Sequence, residues 1–480
     1  MEFATIGYLA GLYMRYFLLL LLVSLCSSIH GQEVIPFTDD TSLSGQYFQI
    51  DTIEITGNKR TRREIILREL SIREQQQVRA DSIPLLIEQN HQRLLTVGLF
   101  TEINISVDTL SPTLLRWKID LKERWYIIPE FTFQLADRNF NVWWTEQNRD
   151  IRRTIIGVTL KNKNFRGRLE SLGVTVQVGY TKRLAIDYTK PYLDKKQRHG
   201  IGFYAGVSES AETFYTTDSN KLRFIRVHDS YILRQYEGAL SYSYRPGYAS
   251  RHIVRLGYKS SRIEDTIVKL NPDYFTHGSK ELNMLELAYR LELNKTDNWN
   301  YPLVGTKLIG QLIWRVGLKG MENQVLAQIE AGRYIRLADK WYISSIFRGR
   351  LSAPGRQPYA LRAALGTKYD YVRGYEYYVI DGSHFGVLRV NLKRELLHTT
   401  LKGIPIRYLS SIPIRIYPKI FADAGYATNH FAGNSFLNNR MLYSAGAGID
   451  IFTAYDIKIR LEYAWNHLDQ KGLFLHLSSE

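Results

Sequence analysis

Cysteine is almost missing from this sequence: Cys26 is the only one in 480 residues, and it sits in an N-terminal apolar stretch. Removal of that stretch leaves no thiol, which excludes disulfides and cysteine-ligated metals from the mature chain. Methionine is scarce too, with 5 residues against 33 tyrosines, and mean hydropathy is -0.25. A bundle of membrane helices would be more apolar. The N-terminal apolar run, residues 16–25 behind Met14-Arg15, is shorter than the roughly 20 residues a spanning helix needs and has the form of a secretory signal. Residues 1–31 are assigned to that signal, with cleavage after Gly31.

Enzyme signatures are also missing. There is no His-Glu-x-x-His and no Gly-x-Ser-x-Gly. Gly382-Ser383-His384-Phe385-Gly386 sets serine beside histidine, but neighbours on a strand face opposite ways and cannot form a proton relay. Gly446-Ala447-Gly448 lies inside a strand pattern with no helix after it, so close strand packing explains it better than phosphate binding. The expectation is a chain with no enzymatic activity, no cofactor and no metal.

The formal charge is +16. Residues 32–46 carry -3 and residues 47–124 carry +1, so residues 125–480 hold +18. Such an excess suits a basic lumen or a surface facing anionic lipid headgroups. Nucleic-acid binding is set aside, because a signal and the strand pattern described next point to the cell envelope.

Residues 32–46 form a short acidic linker rich in serine and threonine. Residues 47–124 then read as one small α+β domain. Ile53 and Ile55 alternate as in a half-buried strand, and Gly57-Asn58 turns it. Thr61-Arg62-Arg63-Glu64 has the form of a capping box opening a helix with Ile65, Ile66 and Leu70. Asp81-Ser82-Ile83-Pro84 opens a second helix, and two alternating runs close the module. The order is strand, helix, helix, strand, strand.

From Trp125 onward the helical period disappears. Ile457, Ile459, Leu461, Tyr463 and Trp465 interleave with Lys458, Arg460 and Glu462; Leu285, Leu287, Tyr289 and Leu291 interleave with Glu286 and Arg290. No helices are available to cover either face. Apolar-out, polar-in strands of a membrane barrel fit this pattern. About sixteen such segments, each long enough to cross a membrane, fill residues 125–480. The fold class is therefore mainly β: an antiparallel transmembrane β-barrel of about 16 strands behind one small α+β domain.

One long polar connection, roughly residues 353–383, contains Tyr371-Val372-Arg373-Gly374-Tyr375-Glu376. The glycine allows a tight bend, the tyrosines pack, and a guanidinium folded into the lumen needs a buried carboxylate. Asp423, in Phe421-Ala422-Asp423-Ala424-Gly425, is the candidate partner.

These features resemble the superfamily of outer-membrane assembly factors and two-partner-secretion transporters, the BamA and TamA type. Residues 47–124 resemble a POTRA domain, carried by Gly57, Asn58, Gly98, Leu99 and Phe100. Asn164-Phe165-Arg166-Gly167, Lys190-Pro191-Tyr192 and the stretch from Asp297 to Gly305 resemble family turns. The most specific matches are Val372, Arg373, Gly374 and Tyr375 with Phe421, Asp423 and Gly425. The resemblance implies a loop latched inside the lumen by an Arg373–Asp423 ion pair. It also implies a weak seam between the first strand (Tyr126, Phe131, Phe133) and the last (Gly472, Phe474, Leu477).

By this resemblance the protein inserts or translocates other proteins at the cell outer membrane, with the POTRA domain in the periplasm. Its implied partners are unfolded β-rich clients, outer-membrane lipid and lipopolysaccharide, with periplasmic or lipoprotein accessory subunits left open. A passive or lipid-related channel is the alternative. General assembly members usually carry several POTRA domains, whereas this chain has one.

Overall fold

The computed structural model describes residues 46–480 except 138–139, 195, 228–229, 319, 368–369, 403–410, 454–457 and 477–480. The signal, all but the last residue of the linker, and Leu477 lie outside the described residues.

The N-terminal unit starts with β1 (Tyr47–Thr56), α1 (Arg63–Glu69), β2 (Gln77–Arg79) and α2 (Ile83–Val97). It ends with β3 (Phe100–Ser111) and β4 (Leu114–Glu123). The sheet order is β2-β1-β4-β3, with β1 parallel to β4. Ile50, Ile53, Ile66, Leu94, Trp117 and Ile119 form the core beneath the two helices. Proline at the start of α2 and left-handed Gly98 at its end set that helix's limits. The three-residue β2, which pairs with β1, is too short to alternate and left no trace in the sequence pattern.

The capping box does not form. Arg62 takes the N-cap position of α1 and makes no side-chain cap. The Thr61 hydroxyl instead meets the Tyr126 hydroxyl at 2.8 Å and accepts from Asn164 Nδ2 at 2.9 Å. A tertiary junction thus takes the oxygen that a local cap would have used.

The barrel begins with β5 (Ile127–Leu135), followed by a short surface helix α3 (Phe140–Thr145). Next come β6 (Thr154–Phe165), β7 (Glu170–Gly179), β8 (Thr181–Lys190) and β9 (His199–Ser210). A hairpin, β10 (Glu212–Asp218) and β11 (Lys221–Arg226), precedes β12 (Leu233–Tyr244), β13 (Ser250–Ile263), helix α4 (Asp265–Leu270) and β14 (Glu281–Thr296). β15 (Gly305–Leu318), β16 (Gln324–Ala338) and β17 (Trp341–Ala353) follow. The long connection holds β18 (Ala363–Leu365) and β19 (Ile380–Asp381). The last strands are β20 (His384–Arg394), β21 (Leu397–Lys402), β22 (Ser411–Thr428), β23 (Leu442–Phe452), β24 (Lys458–Asn466) and β25 (Lys471–His476).

Seventeen strands make one antiparallel sheet in barrel order. They fill sixteen positions, because β20 and β21 are one interrupted strand along β22: Lys393 stands opposite Lys419, and Leu397 opposite Ile416. The alternation read from the sequence is realised in space. Leu461, Tyr463 and Trp465 are exposed on the outside, while Arg460 and Glu462 are buried inside. An apolar outer band around a polar interior is the pattern a barrel needs in lipid. No described helix is long and apolar enough to cross a membrane.

Turns on one rim hold the N-terminal unit. The Arg62 N–H donates to Gly167 O at 3.0 Å, and a Cβ at Gly167 (φ +70°) would stand 2.0 Å from Arg60 O. Buried Glu69 accepts from the Tyr192 hydroxyl at 2.7 Å and from Arg245 Nη1 at 2.8 Å. On the opposite rim the loops pack on one another, with Ile232, Ile267, Tyr274, Phe275 and Tyr359 at their centre.

Candidate functional site: a lumenal latch and the barrel seam

The connection between β17 and β20 turns back into the lumen at Val372-Arg373-Gly374-Tyr375. Gly374 adopts φ +86°, and the Tyr375 N–H closes the turn on Val372 O at 3.1 Å. This backbone aims Arg373 at β22. Its Nε donates to Asp423 Oδ2 at 2.8 Å, Nη2 bonds Asp423 Oδ1, and even its backbone N–H donates to Asp423 Oδ2 at 3.1 Å. Arg373 is 1% exposed, and its guanidinium lies 3.8 Å from the centroid of the Phe421 ring. Phe421 and Asp423, two apart on a strand, thus supply the flat face and the carboxylate for one guanidinium.

Gly425 belongs to the same device. A Cβ there would stand 2.4 Å from Cγ2 of Val372, which is buried to 1% exposure. Gly374 O accepts from Asn466 Nδ2 at 2.6 Å, and the Tyr375 hydroxyl donates to Tyr443 O at 3.1 Å. The loop is therefore tied to β22, β23 and β24.

Sequence reasoning missed most of the charges around this latch. Arg373 Nη1 also donates to Asn391 Oδ1 at 2.7 Å and to Glu462 Oε1 at 3.1 Å. Lys419 lies 2.8 Å from Glu462 and 2.7 Å from Asp450; Arg460 lies 3.1 Å from Asp450. From the turn between β14 and β15, Tyr301 donates its hydroxyl to Asp450 Oδ2 at 2.9 Å. The inward positions of the alternation were the available signal for Lys419, Asp450, Arg460 and Glu462. Their mutual placement depends on strand register. Alternating opposite charges at hydrogen-bond distance offset the desolvation that each alone would suffer.

The seam lies between β5 and β25, which the strand order sets side by side. β25 and β5 are neighbours in the hydrogen-bonded strand order that closes the barrel, so the seam is where the first and last strands meet. Phe131 and Phe133 point outward and are exposed, whereas Phe474 points inward and packs with Phe421 and Ala464. Gly472 stands opposite Ala464 on β24.

Tyr126 is not a seam residue. It precedes β5 and is buried in the core of the N-terminal unit. In that unit Leu99 and Phe100 are core, and Gly57 (φ +79°) is fixed by a close approach: a Cβ would stand 1.8 Å from Leu121 O. Asn58 Nδ2 donates to Thr61 O at 3.0 Å. The Thr61 N–H donates to Glu123 at 2.6 Å. Burial pushes the Glu123 carboxyl up, but hydrogen bonds from Thr61, Tyr126 and the Arg60 N–H outweigh it and hold its pKa below the ordinary value.

The Omp85 superfamily domain model matches residues 164–473. The chain belongs to the Omp85 superfamily. The match begins at Asn164, beside the junction just described, and takes in both halves of the latch. Among solved structures, BamA from Haemophilus ducreyi lacking POTRA domains 1-3 is similar, with TM-score 0.52 and 14% identity over 89% of this chain and 83% of that one. CdiB from Escherichia coli has TM-score 0.54 and 11% identity, over 89% and 75%. CdiB from Acinetobacter baumannii has TM-score 0.50 and 12% identity, over 89% and 73%. No curated protein matches. Identities this low establish a shared fold. Omp85 membership supports an outer-membrane location and, at family level, insertion or secretion of outer-membrane proteins.

Proposed function

We propose that this Omp85 protein is a non-enzymatic insertion or translocation factor. Residues 47–124 serve as its one POTRA domain, in the periplasm, and residues 125–480 as its barrel. The domain receives extended β-rich clients by strand addition, and the seam between β5 and β25 passes them onward. One observation carries this reading: the Omp85 domain model matches residues 164–473, and the lumenal latch of Arg373 on Asp423 lies wholly within the match. Where the first and last strands part, each would offer an edge to which a further strand can add. The lumen beside the seam is filled by the latch loop, which suits a strand-passing machine better than an open pore.

The proposal extends to outer-membrane lipid and lipopolysaccharide as the barrel's surroundings, and to periplasmic or lipoprotein accessory subunits. Quantitative proteomics of outer membrane and medium after depletion tests it. Loss of many barrels means general assembly, and loss of one or two cargoes means a dedicated transporter. An unchanged inventory overturns the proposal in favour of a channel.

A further inference from the structure

The edge of β25 that faces the seam is not bare. At the turn between β24 and β25, the Asn466 N–H donates to Gln470 O at 3.0 Å. With Ala464 opposite Gly472 and Glu462 opposite Phe474, this fixes the antiparallel alternation. The backbone groups of Lys471, Leu473 and Leu475 therefore point away from β24, toward the seam. One of these carbonyls is engaged: Asn141, on α3, donates its Nδ2 to Leu473 O at 2.7 Å.

The same amide nitrogen lies 3.4 Å from the Tyr377 hydroxyl. Tyr377 follows Arg373 by four residues on the latch loop, and its ring meets Phe474 edge-on at 5.9 Å. Asn141 thus stands where surface helix, latch loop and last strand meet. The helix is braced from behind. Val142 is buried, Trp143 Nε1 donates to Asp150 O at 3.0 Å, and Arg149 lies 4.1 Å from the Trp144 ring centroid. Arg153, just before β6, is buried between Asp137 and Glu212.

We infer that α3 is a clasp on the barrel seam. Asn141 occupies a backbone position on β25 that an added strand would use, so a client strand must displace α3 before it can pair along residues 471–476. The clasp also ties seam opening to the latch, because Tyr377 shares the Asn141 amide. A side-chain amide suits this role: it hydrogen bonds as a peptide group does, yet it is a single contact that a strand with several can replace.

This inference rests on the seam reading above, and two measurements on the full chain in lipid nanodiscs separate the two. The first is hydrogen exchange of peptides covering 467–476. Asn141→Ala is expected to speed exchange there about threefold to tenfold, the range one hydrogen bond is worth, while peptides covering 250–263 are unchanged. Exchange no faster than wild type overturns the clasp, whatever clients do. The second uses Asn141→Cys with Leu473→Cys in a Cys26→Ser background, joined by a short reducible bis-thiol cross-linker. The joined chain is expected to lose client assembly at least tenfold and to recover it on reduction. Faster exchange in Asn141→Ala together with undiminished assembly by the joined chain keeps the clasp and overturns client entry through the seam.

Discussion

Arg373 reaches past Asp423 to Glu462, two strands farther round the barrel, and lies 3.1 Å from its Oε1 while Lys419 lies 2.8 Å from the same oxygen. The latch is thus one end of a buried charge network and not an isolated pair. Arg373→Ala would strand the buried Asp423 carboxylate and take one of its cations from Glu462, which keeps Lys419. A loss of about 3–5 kcal/mol is expected, as for breaking a buried ion pair. Heat-modifiability on gels should show the folded barrel melting at lower temperature. Arg373→Lys should recover little, since an ammonium cannot match the fork of contacts. A melting profile identical to wild type would contradict the network.

Tyr301 brings the turn between β14 and β15 into the same network. Tyr301→Phe keeps the ring between Lys393 and Tyr417 but removes the hydroxyl that donates to buried Asp450. The expected cost is about 1–3 kcal/mol. Asp450 is shared, so Tyr301→Phe and Asp450→Asn should combine non-additively in a double-mutant cycle. Simple additivity would mean that the hydroxyl contributes nothing through Asp450.

Asn220 ties the β10–β11 hairpin across the barrel mouth. It is fully buried; its Nδ2 donates to Val379 O at 3.0 Å, and its Oδ1 accepts from the N–H groups of Phe436 and Leu437 at 2.8 and 3.0 Å. Its φ of 60° is one that asparagine and glycine tolerate, so Asn220→Gly removes the side chain without adding backbone strain. Limited proteolysis of that variant should cut the hairpin near its tip at least severalfold faster than in wild type. Equal rates would show that the loops hold one another without Asn220.

The junction between unit and barrel should be sensitive to acid. Glu123 has a depressed pKa when folded, so the stability it contributes is fully present above the unfolded carboxylate value of about 4.3 and is lost as pH falls through the folded value. Protease cleavage between residues 124 and 127 should therefore rise below about pH 4. Glu123→Gln should be cleaved readily at every pH. A profile for Glu123→Gln that still steepens in acid would assign the effect to another group.

The barrel was legible because a two-residue period with one oily and one charged face survives in every spanning segment. Sixteen strand positions follow from it. Arg373 and Asp423 stood out because an arginine folded into a lumen demands a carboxylate, and the structure sets the two in contact. Glu462, Lys419 and Asp450 did not, because ordinary charges on a polar face become a network only once register is fixed. Thr61 and Tyr126 misled for a related reason. Local patterns suggested a helix cap and a first strand, while both hydroxyls join the N-terminal unit to the barrel. The clasp of Asn141 on Leu473 joins residues 332 apart in sequence and has no local signature.

The central claim is that clients cross at the seam, and site-specific photo-cross-linking tests it most directly. A photoreactive residue at Phe131 or Leu473 marks the seam, and one at Leu256 on β13 is the control, since Leu256 and Leu473 are each 54% exposed on the outer face. With a stalled β-rich outer-membrane precursor, adducts should form at Phe131 and Leu473 and not at Leu256. Adducts at all three positions alike, or at Leu256 alone, would contradict passage through the seam.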